Sequence, residues 1–460
     1  MTTVSNPLPP QTAGKFVTGS TLRHVITMTA TGSIGLAAVF FVDVLNLFYI
    51  SLLGQKELAA AVGYAGTLLF FLTSLAIGLS IAATALTSRA LGRGDRAHAQ
   101  ALAGASMVLM ALFMTAAVVL TFPFLRQLLG WLGATGETAE LALRFTRIVL
   151  PSAIPLGLGM CLGGLLRSLG DARRAMFVTL GAGAISAVLD PILIFGLGWG
   201  LDGAAVATVL TRFAMLGIGL HALVRVHQLL VWPAMPVLRD TLRPFLAIGV
   251  PAVLTQVATP VGNAFVTAAI AGFGDDAVAG WAVIVRLIPV AFVALFALSG
   301  SVGPILGQNL GARRHDRLRA TVRDSLKVVL VYVAVVWLLL AIASGWIANA
   351  FGAVGEARDL IVFFCVFVAG SFMFNGALFV ANAAFNNLGF AFYSTALNWG
   401  RATLGVVPFI WLGAQWFGAR GVMAGYGLGV VVFGLAGALL CRRVLKRIER
   451  DASTSATIKT

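Results

Sequence analysis

Asp43 and Asp190 are the residues of this chain with chemistry to offer. They are the only two acids that fall inside stretches apolar enough to lie within a lipid bilayer, and both stand in the first half. An ionised carboxylate in hydrocarbon costs at least a few kcal/mol, so an acid held there points to function by default. Counting inward from outer ends near Gly54 and Leu197 at about 1.5 Å per residue, Asp43 is expected roughly 15 Å deep and Asp190 roughly 10 Å deep, so the two can meet. Two carboxylates sharing a poorly hydrated site cannot both ionise cheaply. Such a pair accepts protons or holds an organic cation, and each ligand weakens the binding of the other.

Small polar residues accompany the pair. Pro191 lacks an N–H, so it is expected to free a carbonyl about one turn upstream, near Ala187, and to bend its helix. Ser186 and Thr208 could then bond the loosened backbone or a carboxyl. Asn46, one turn beyond Asp43, is expected on the same face. Residues of this kind also serve as ordinary interhelical glue, and two acids could act only as a hydrogen-bonded staple; both alternatives stay open.

The elements that must position these groups follow from composition. The chain has 460 residues, 59% of them hydrophobic and 11% charged, with a mean hydropathy of +0.95, whereas a soluble chain is about one quarter charged. Apolar stretches long enough to cross a hydrocarbon core of about 30 Å recur along nearly the whole sequence. On that criterion about twelve spans are expected, centred near residues 38, 73, 110, 153, 186, 214, 257, 293, 334, 371, 404 and 431. The alternating segments of roughly ten residues that mark a membrane barrel are absent. An all-α polytopic membrane protein is the expected fold class. The polar, proline-rich start MTTVSNPLPPQTAGK reads as no removable signal peptide, so the first span is expected to insert as its own anchor.

The net charge of +15 is distributed unevenly. Basic residues gather after even-numbered spans, at Arg89, Arg93 and Arg96, at Arg167, Arg173 and Arg174, at Arg225, Arg239 and Arg243, between Arg313 and Lys327, and between Arg442 and Arg450. This positive-inside pattern predicts cytoplasmic termini in a bacterial inner membrane. It argues against nucleic-acid binding, because no basic stretch forms a soluble domain with a reading motif. Cys161, Cys365 and Cys441 read as small buried hydrophobes. The five histidines have no metal-ligand spacing. No cofactor is expected, and no nucleophile, metal or acid–base cluster suggests an enzyme.

The second half repeats the first with a shift near 220 residues. Gly54 matches Gly274, Leu91-Gly92 matches Leu310-Gly311, Leu169-Gly170 matches Leu388-Gly389, Pro191 matches Pro408 and Gly203 matches Gly421. Six spans separate the copies, so both have one orientation, as in parallel-repeat transporters whose substrate sites lie between two lobes. The positions matching Asp43 and Asp190 are Asn263 and Val407, neither of which titrates as a carboxylate. Ion chemistry is therefore expected in the first lobe, with the second mostly contributing shape.

Several segments carry a resemblance to a known family: the Asp-bearing first span followed by LLGQKELAAAVG, the loop SRALGRGDRAHA, LRSLGDARRAM, LDPILIFGLGWGLDGAAVAT and GQNLGARRHDR. In this order, and duplicated, they resemble the multidrug and toxic compound extrusion (MATE) family over nearly the whole chain. The resemblance implies two pseudo-symmetric six-helix bundles and export of organic cations driven by inward protons or sodium. Within the family the chain is more similar to the DinF-type branch, whose pattern lands on Asp43, Ser186, Asp190 and Thr208. Ser186 replaces the usual Asn of that branch.

The domains expected are a cytoplasmic segment 1–24, a first bundle 25–228, a linker 229–241, a second bundle 242–447 and a tail 448–460. Phe40, Tyr49, Tyr64, Met160, Trp281, Phe292 and Phe374 are candidates to line a cavity for flat cations, with Arg286 beside them. Arg212, Arg286 and Arg401 pair with acids or carbonyls or reach to the interface, the last being favoured for Arg401. The expected partners are small organic cations and the lipid bilayer, for a monomeric antiporter coupled to protons. The alternatives are sodium coupling and a lipid-linked oligosaccharide flippase of the same superfamily.

Overall fold

The structure, a computed structural model, describes residues 14–53 and 56–457; the side chains of positions 43, 47, 51, 56 and 455–457 lie outside the described set. The described chain is helical. In chain order the α-helices are α1 Thr21–Ser51, α2 Lys56–Gly92, α3 Arg96–Thr121, α4 Leu125–Trp131, α5 Gly136–Val149, α6 Ala153–Ser168, α7 Ala172–Pro191 and α8 Gly200–Leu220. The second half holds α9 Met235–Ala271, α10 Asp275–Ala291, α11 Val293–Gly311, α12 His315–Ala350, α13 Gly355–Phe363, α14 Phe372–Leu388, α15 Ala391–Ala402 and α16 Val407–Thr457.

Eleven stretches of the described residues are long and apolar enough to cross a membrane. The last of them, Ala391–Thr454, has 64 residues, which as one straight helix would measure about 96 Å. It folds back instead. Phe417 (φ −135°, ψ 15°) and Gly418 (φ 61°, ψ −143°) break the helix, and Gly405 then faces Gly429, Phe409 faces Gly425 and Gly413 faces Gly421. These pairings run in opposite directions about Phe417, as an antiparallel hairpin requires. Counted so, the crossings number twelve.

The duplication is written in the backbone as well as in the residues. Left-handed positions recur exactly one repeat apart at Gly94 and Arg313, Gly133 and Gly352, Gly136 and Gly355, and Gly170 and Gly389. The tight three-residue turns Leu150–Ser152 and Ala369–Ser371 recur in the same register. Arg313 adopts a backbone that the first copy gives to a glycine, at φ 57°.

Close contacts divide the chain into two compact units that cut across the repeat. One comprises Met1–Ser20 (described from Gly14), Ile34–Val253 and Pro304–Arg314; the other comprises Thr21–Ser33, Leu254–Gly303 and His315–Thr460.

In the first unit, α2 and α6 run parallel, because Ser80 Oγ donates to the Met160 carbonyl (3.0 Å) and Ser168 Oγ to that of Thr84 (3.2 Å). Small residues allow this approach: a side chain at Gly164 would strike Thr84 and Ser80. The segment before α1 is stitched into the same unit. Phe16 N–H donates to Gln308 Oε1 (2.7 Å), Gln308 Nε2 to the Ser168 carbonyl (2.6 Å) and Lys15 Nζ to the Gly170 carbonyl (2.7 Å).

Asp171 caps the start of α7, accepting from the Arg174 N–H (3.0 Å) and from Arg174 Nη1 (2.6 Å), with His227 Nε2 at 2.8 Å. Partial burial pushes its carboxyl up, but the Arg174 bonds, the His227 bond and the Arg174 charge together outweigh burial and hold it below the ordinary carboxylate value. A folded-state value below the unfolded one means stability present above roughly pH 4 and lost as pH falls through the folded value. Asp171→Ala is therefore expected to cost about 1 kcal/mol at neutral pH, the usual worth of a helix cap. Thermal unfolding in detergent should show the gap between variant and wild type narrowing as pH falls below the ordinary carboxylate range; a gap independent of pH would contradict this account.

In the second unit, α14 and α16 run parallel, Gly434 lying against Phe374 and Gly437 against Leu378. The start of α1 joins this unit through Thr21 Oγ1, which donates to Asp324 Oδ2 at 2.5 Å, and through Ser301 Oγ, which donates to the Met28 carbonyl at 3.1 Å. Asp324 is a buried acid that its arginine-rich surroundings had disguised as a helix end. Both its oxygens are engaged, the second by Arg323 Nε at 3.6 Å.

Candidate functional site

Asp190 stands in the last turn of α7, wholly shielded from solvent in the first unit. Pro191 follows inside the helix, which continues as a wide turn over Ile192–Gly196, closed by Leu197 N–H donating to the Ile192 carbonyl at 2.8 Å. Such five-residue turns are uncommon and often mark functional sites. The chain then reverses sharply into α8. A side chain at Gly203 would collide with the backbone of Leu193 and Ile194, so glycine sets how closely the two helices approach.

Ser186, one turn before Asp190 and also buried, donates its Oγ to Asp190 Oδ2 at 3.0 Å. Of the two roles open to Ser186, backbone or carboxyl, the carboxyl is the one occupied. Asp190 Oδ1 has no hydrogen-bond partner among the described residues. Thr208 does not reach the acid: its hydroxyl donates to the Ala204 carbonyl of its own helix at 2.9 Å.

The side chain of Asp43 lies outside the described residues, but its backbone belongs to α1 and its level can be read. Gly35 faces Thr179, and Gly183 faces Ala38 and Val42, so α1 and α7 run parallel with an offset near 144 residues. That register sets position 43 level with Ser186, and Asn46 level with Asp190, to within about one helical turn. Asn46 is half-buried, and its Oδ1 has no partner among the described residues.

Arg212 is partly buried in α8. Its Nη1 donates to Ser152 Oγ (3.0 Å) and toward the Val149 carbonyl (3.4 Å), groups presented by the Leu150–Ser152 turn that Pro151 imposes. This is the carbonyl-pairing alternative for Arg212.

The chain is similar to known proteins in sequence and in fold. The family model MatE matches residues 31–192 and again residues 251–412, one copy per repeat. The chain belongs to the MatE family. It is thus a multi-pass membrane transporter. A FAD transporter of Shewanella oneidensis is 27% identical over 443 residues, covering 95% of this MATE chain and 97% of that protein. The multidrug export protein MepA of Staphylococcus haemolyticus is 24% identical over 89% of this chain and 90% of its own length. Among solved structures, the Vibrio cholerae MATE transporter VcmN in its bent form superposes with a TM-score of 0.88 at 25% identity, over 93% of this chain and 98% of that one. The likeness fits a two-lobe twelve-helix bundle.

The cavity candidates have varied settings in this MATE chain. Tyr49 packs edge-on against Phe195 at 6.1 Å, Tyr64 lies near Gly133, and Phe40 and Met160 are half-buried. Phe292 is fully buried and stacked on Phe372 at 4.3 Å, a core packing position. Trp281 is buried and donates Nε1 to Thr267 Oγ1 at 2.9 Å. Phe374 lines an apolar crevice of about 250 Å³ with Leu330 and Met373. Arg286 is exposed on α10.

Arg401 departs from expectation. Favoured to reach the interface, it is 6% exposed and donates Nη2 to Thr259 Oγ1 at 3.2 Å. Glycine explains why: Gly262 lets α9 approach Ala402, and Gly400 and Gly405 admit the Phe433 ring, so α15 is walled in on several sides. The only advance signal was its spacing from Asn398 on one helical face.

Proposed function

We propose that this MATE protein is an antiporter of the DinF-type branch that exports small organic cations in exchange for inward-moving protons, with Asp190 and Asp43 as the coupling acids. One observation carries the reading. Asp190 is wholly buried in a membrane-crossing helix, yet only one of its oxygens is bonded among the described residues. A carboxylate kept solely to staple helices would be expected to have both oxygens satisfied. An acid with one oxygen that no described residue bonds, at that depth, is suited to gaining and losing a proton as a cation leaves or arrives. Ser186 steadies the carboxylate, and Asn46 is level with it. The protein acts as a monomer in a bacterial inner membrane, with cytoplasmic termini and the two repeats as its working lobes.

A second reading concerns cargo alone. The Shewanella FAD transporter aligns over nearly the full length of both chains, and Arg286 and Arg401 stand in the second half; together they favour an aromatic organic anion as a further substrate.

Purified protein in liposomes tests the coupling. With sodium equal on both sides, an imposed proton gradient should drive uptake of a fluorescent aromatic cation, and an uncoupler should collapse it. Transport that ignores the uncoupler and follows a sodium gradient would replace the proton with sodium.

A further inference from the structure

The second unit carries arginines within two of its helices, as the first carries Arg212 in α8. Arg286 lies eleven residues into α10 and Arg401 ten residues into α15, each about 15 Å along its helix. Arg401 is the more telling of the two. Besides its bond to Thr259, the guanidinium lies beside the hydroxyl of Tyr426, and its Nε has no partner among the described residues. Tyr426 is buried in turn, edge-on to Trp281 with ring centres 6.0 Å apart. No carboxylate of the second unit is paired with Arg401 among the described residues. Asp324 is taken by Thr21 and Arg323, Asp359 by Arg420 and Glu449 by Arg319.

Hydroxyl partners satisfy donors without cancelling charge. A buried guanidinium that lacks an anion is costly unless something negative reaches it in the working cycle. Its planar fork of five N–H donors suits a carboxylate or phosphate, which it can hold through two parallel bonds. The neighbouring Trp281 and Tyr426 rings add a flat apolar surface.

We infer that Arg401, with Thr259 and Tyr426, forms a subsite in the second unit for the anionic oxygen group of cargo, a phosphate or carboxylate borne on an aromatic molecule. The inference rests on the second cargo reading above and assigns it to named residues. In this structure the subsite is closed, so cargo reaches the guanidinium when Tyr426 swings off it. The second half then recognises charge rather than supplying shape alone, and the two halves divide the labour: acids for the coupling ion, arginine for the cargo.

The test uses the full chain in liposomes under a proton gradient, with four probes: flavin mononucleotide as aromatic phosphate, naphthoate as aromatic carboxylate, riboflavin as the uncharged counterpart and ethidium as aromatic cation. Arg401→Gln should reduce transport of the anionic probe about tenfold or more, equivalent to about 1.4 kcal/mol, while ethidium transport stays within about twofold. Arg401→Lys should retain an intermediate rate with a raised KM, since a point charge replaces a fork. Tyr426→Phe, which releases a donor toward the ligand, should lower the KM for the anion. Loss confined to the flavin phosphate identifies phosphate as the recognised group, and loss confined to naphthoate identifies carboxylate. Equal loss of ethidium and anion in both Arg401 variants would overturn the inference in favour of a purely structural arginine, as would unchanged anion transport. A wild type that moves ethidium but neither anion also overturns it and leaves the export reading standing; one that moves no probe removes both.

Discussion

Asp190→Asn should yield a folded protein in which export no longer answers to the proton gradient, with driven uptake reduced at least about tenfold, equivalent to about 1.4 kcal/mol. Asparagine keeps the shape of aspartate and an oxygen that can still accept from Ser186 Oγ, now bonded at 3.0 Å. What disappears is the charge, whose burial in hydrocarbon costs at least a few kcal/mol. Thermal stability in detergent should therefore hold or rise while coupling is lost. A staple role predicts the reverse pattern, with export preserved because the hydrogen bond is preserved. Measuring both quantities on one preparation decides between them, and normal proton-driven export by Asp190→Asn would end the coupling assignment. Ser186→Ala should behave differently: the hydrogen bond goes, the acid remains, and a net contribution of about 1 kcal/mol is removed, so export weakens without being abolished.

Replacing Gly429 by leucine is expected to have the largest effect on folding. A Cβ at this position would fall against the carbonyl of Gly405, and the wall it meets is backbone of the facing helix, which has no rotamer with which to yield. Overpacking of this kind costs about 1–3 kcal/mol where side chains can adjust, and more is expected here because the pairing of Gly405, Gly413, Gly421, Gly425 and Gly429 zips the whole hairpin. Gly429→Leu should fail to give a monodisperse species on size exclusion. The control is Gly217→Ala, at an open helical position with nothing within 4 Å of a built Cβ, where alanine should be neutral or stabilising by up to about 1 kcal/mol. Equal behaviour of the two variants would refute the hairpin packing.

Much of the architecture was open to reading from residues alone. Twelve crossings followed from apolar length, and the hairpin inside Ala391–Thr454 confirmed that two expected spans, near 404 and 431, had been counted correctly although no loop separates them. The repeat was visible in its glycines, and one of those pairs, Gly170 and Gly389, reappears as left-handed backbone one repeat apart. Ser186 bonding Asp190 was one of two stated options, since a hydroxyl four residues before a carboxyl shares its helical face. Membrane proteins are legible in this way because a bilayer imposes length and polarity on every crossing, one segment at a time.

Burial of individual side chains is a property of facing helices, and there the chain order is silent. Thr208 turned to its own backbone at Ala204, Phe292 went into a stacked core, Asp324 took Thr21 from a distant helix beside its neighbour Arg323, and Arg401 was enclosed by α9 and α16 where Gly262, Gly400 and Gly405 let them approach. Each of these outcomes depends on which helix lies opposite and on how closely glycine lets it come, a relation between residues that are more than a hundred positions apart in several cases. Local apolar pattern therefore decided that the chain crosses a membrane twelve times with two acids in its first half, and only tertiary packing decided which of its polar groups are satisfied and which are left to bind.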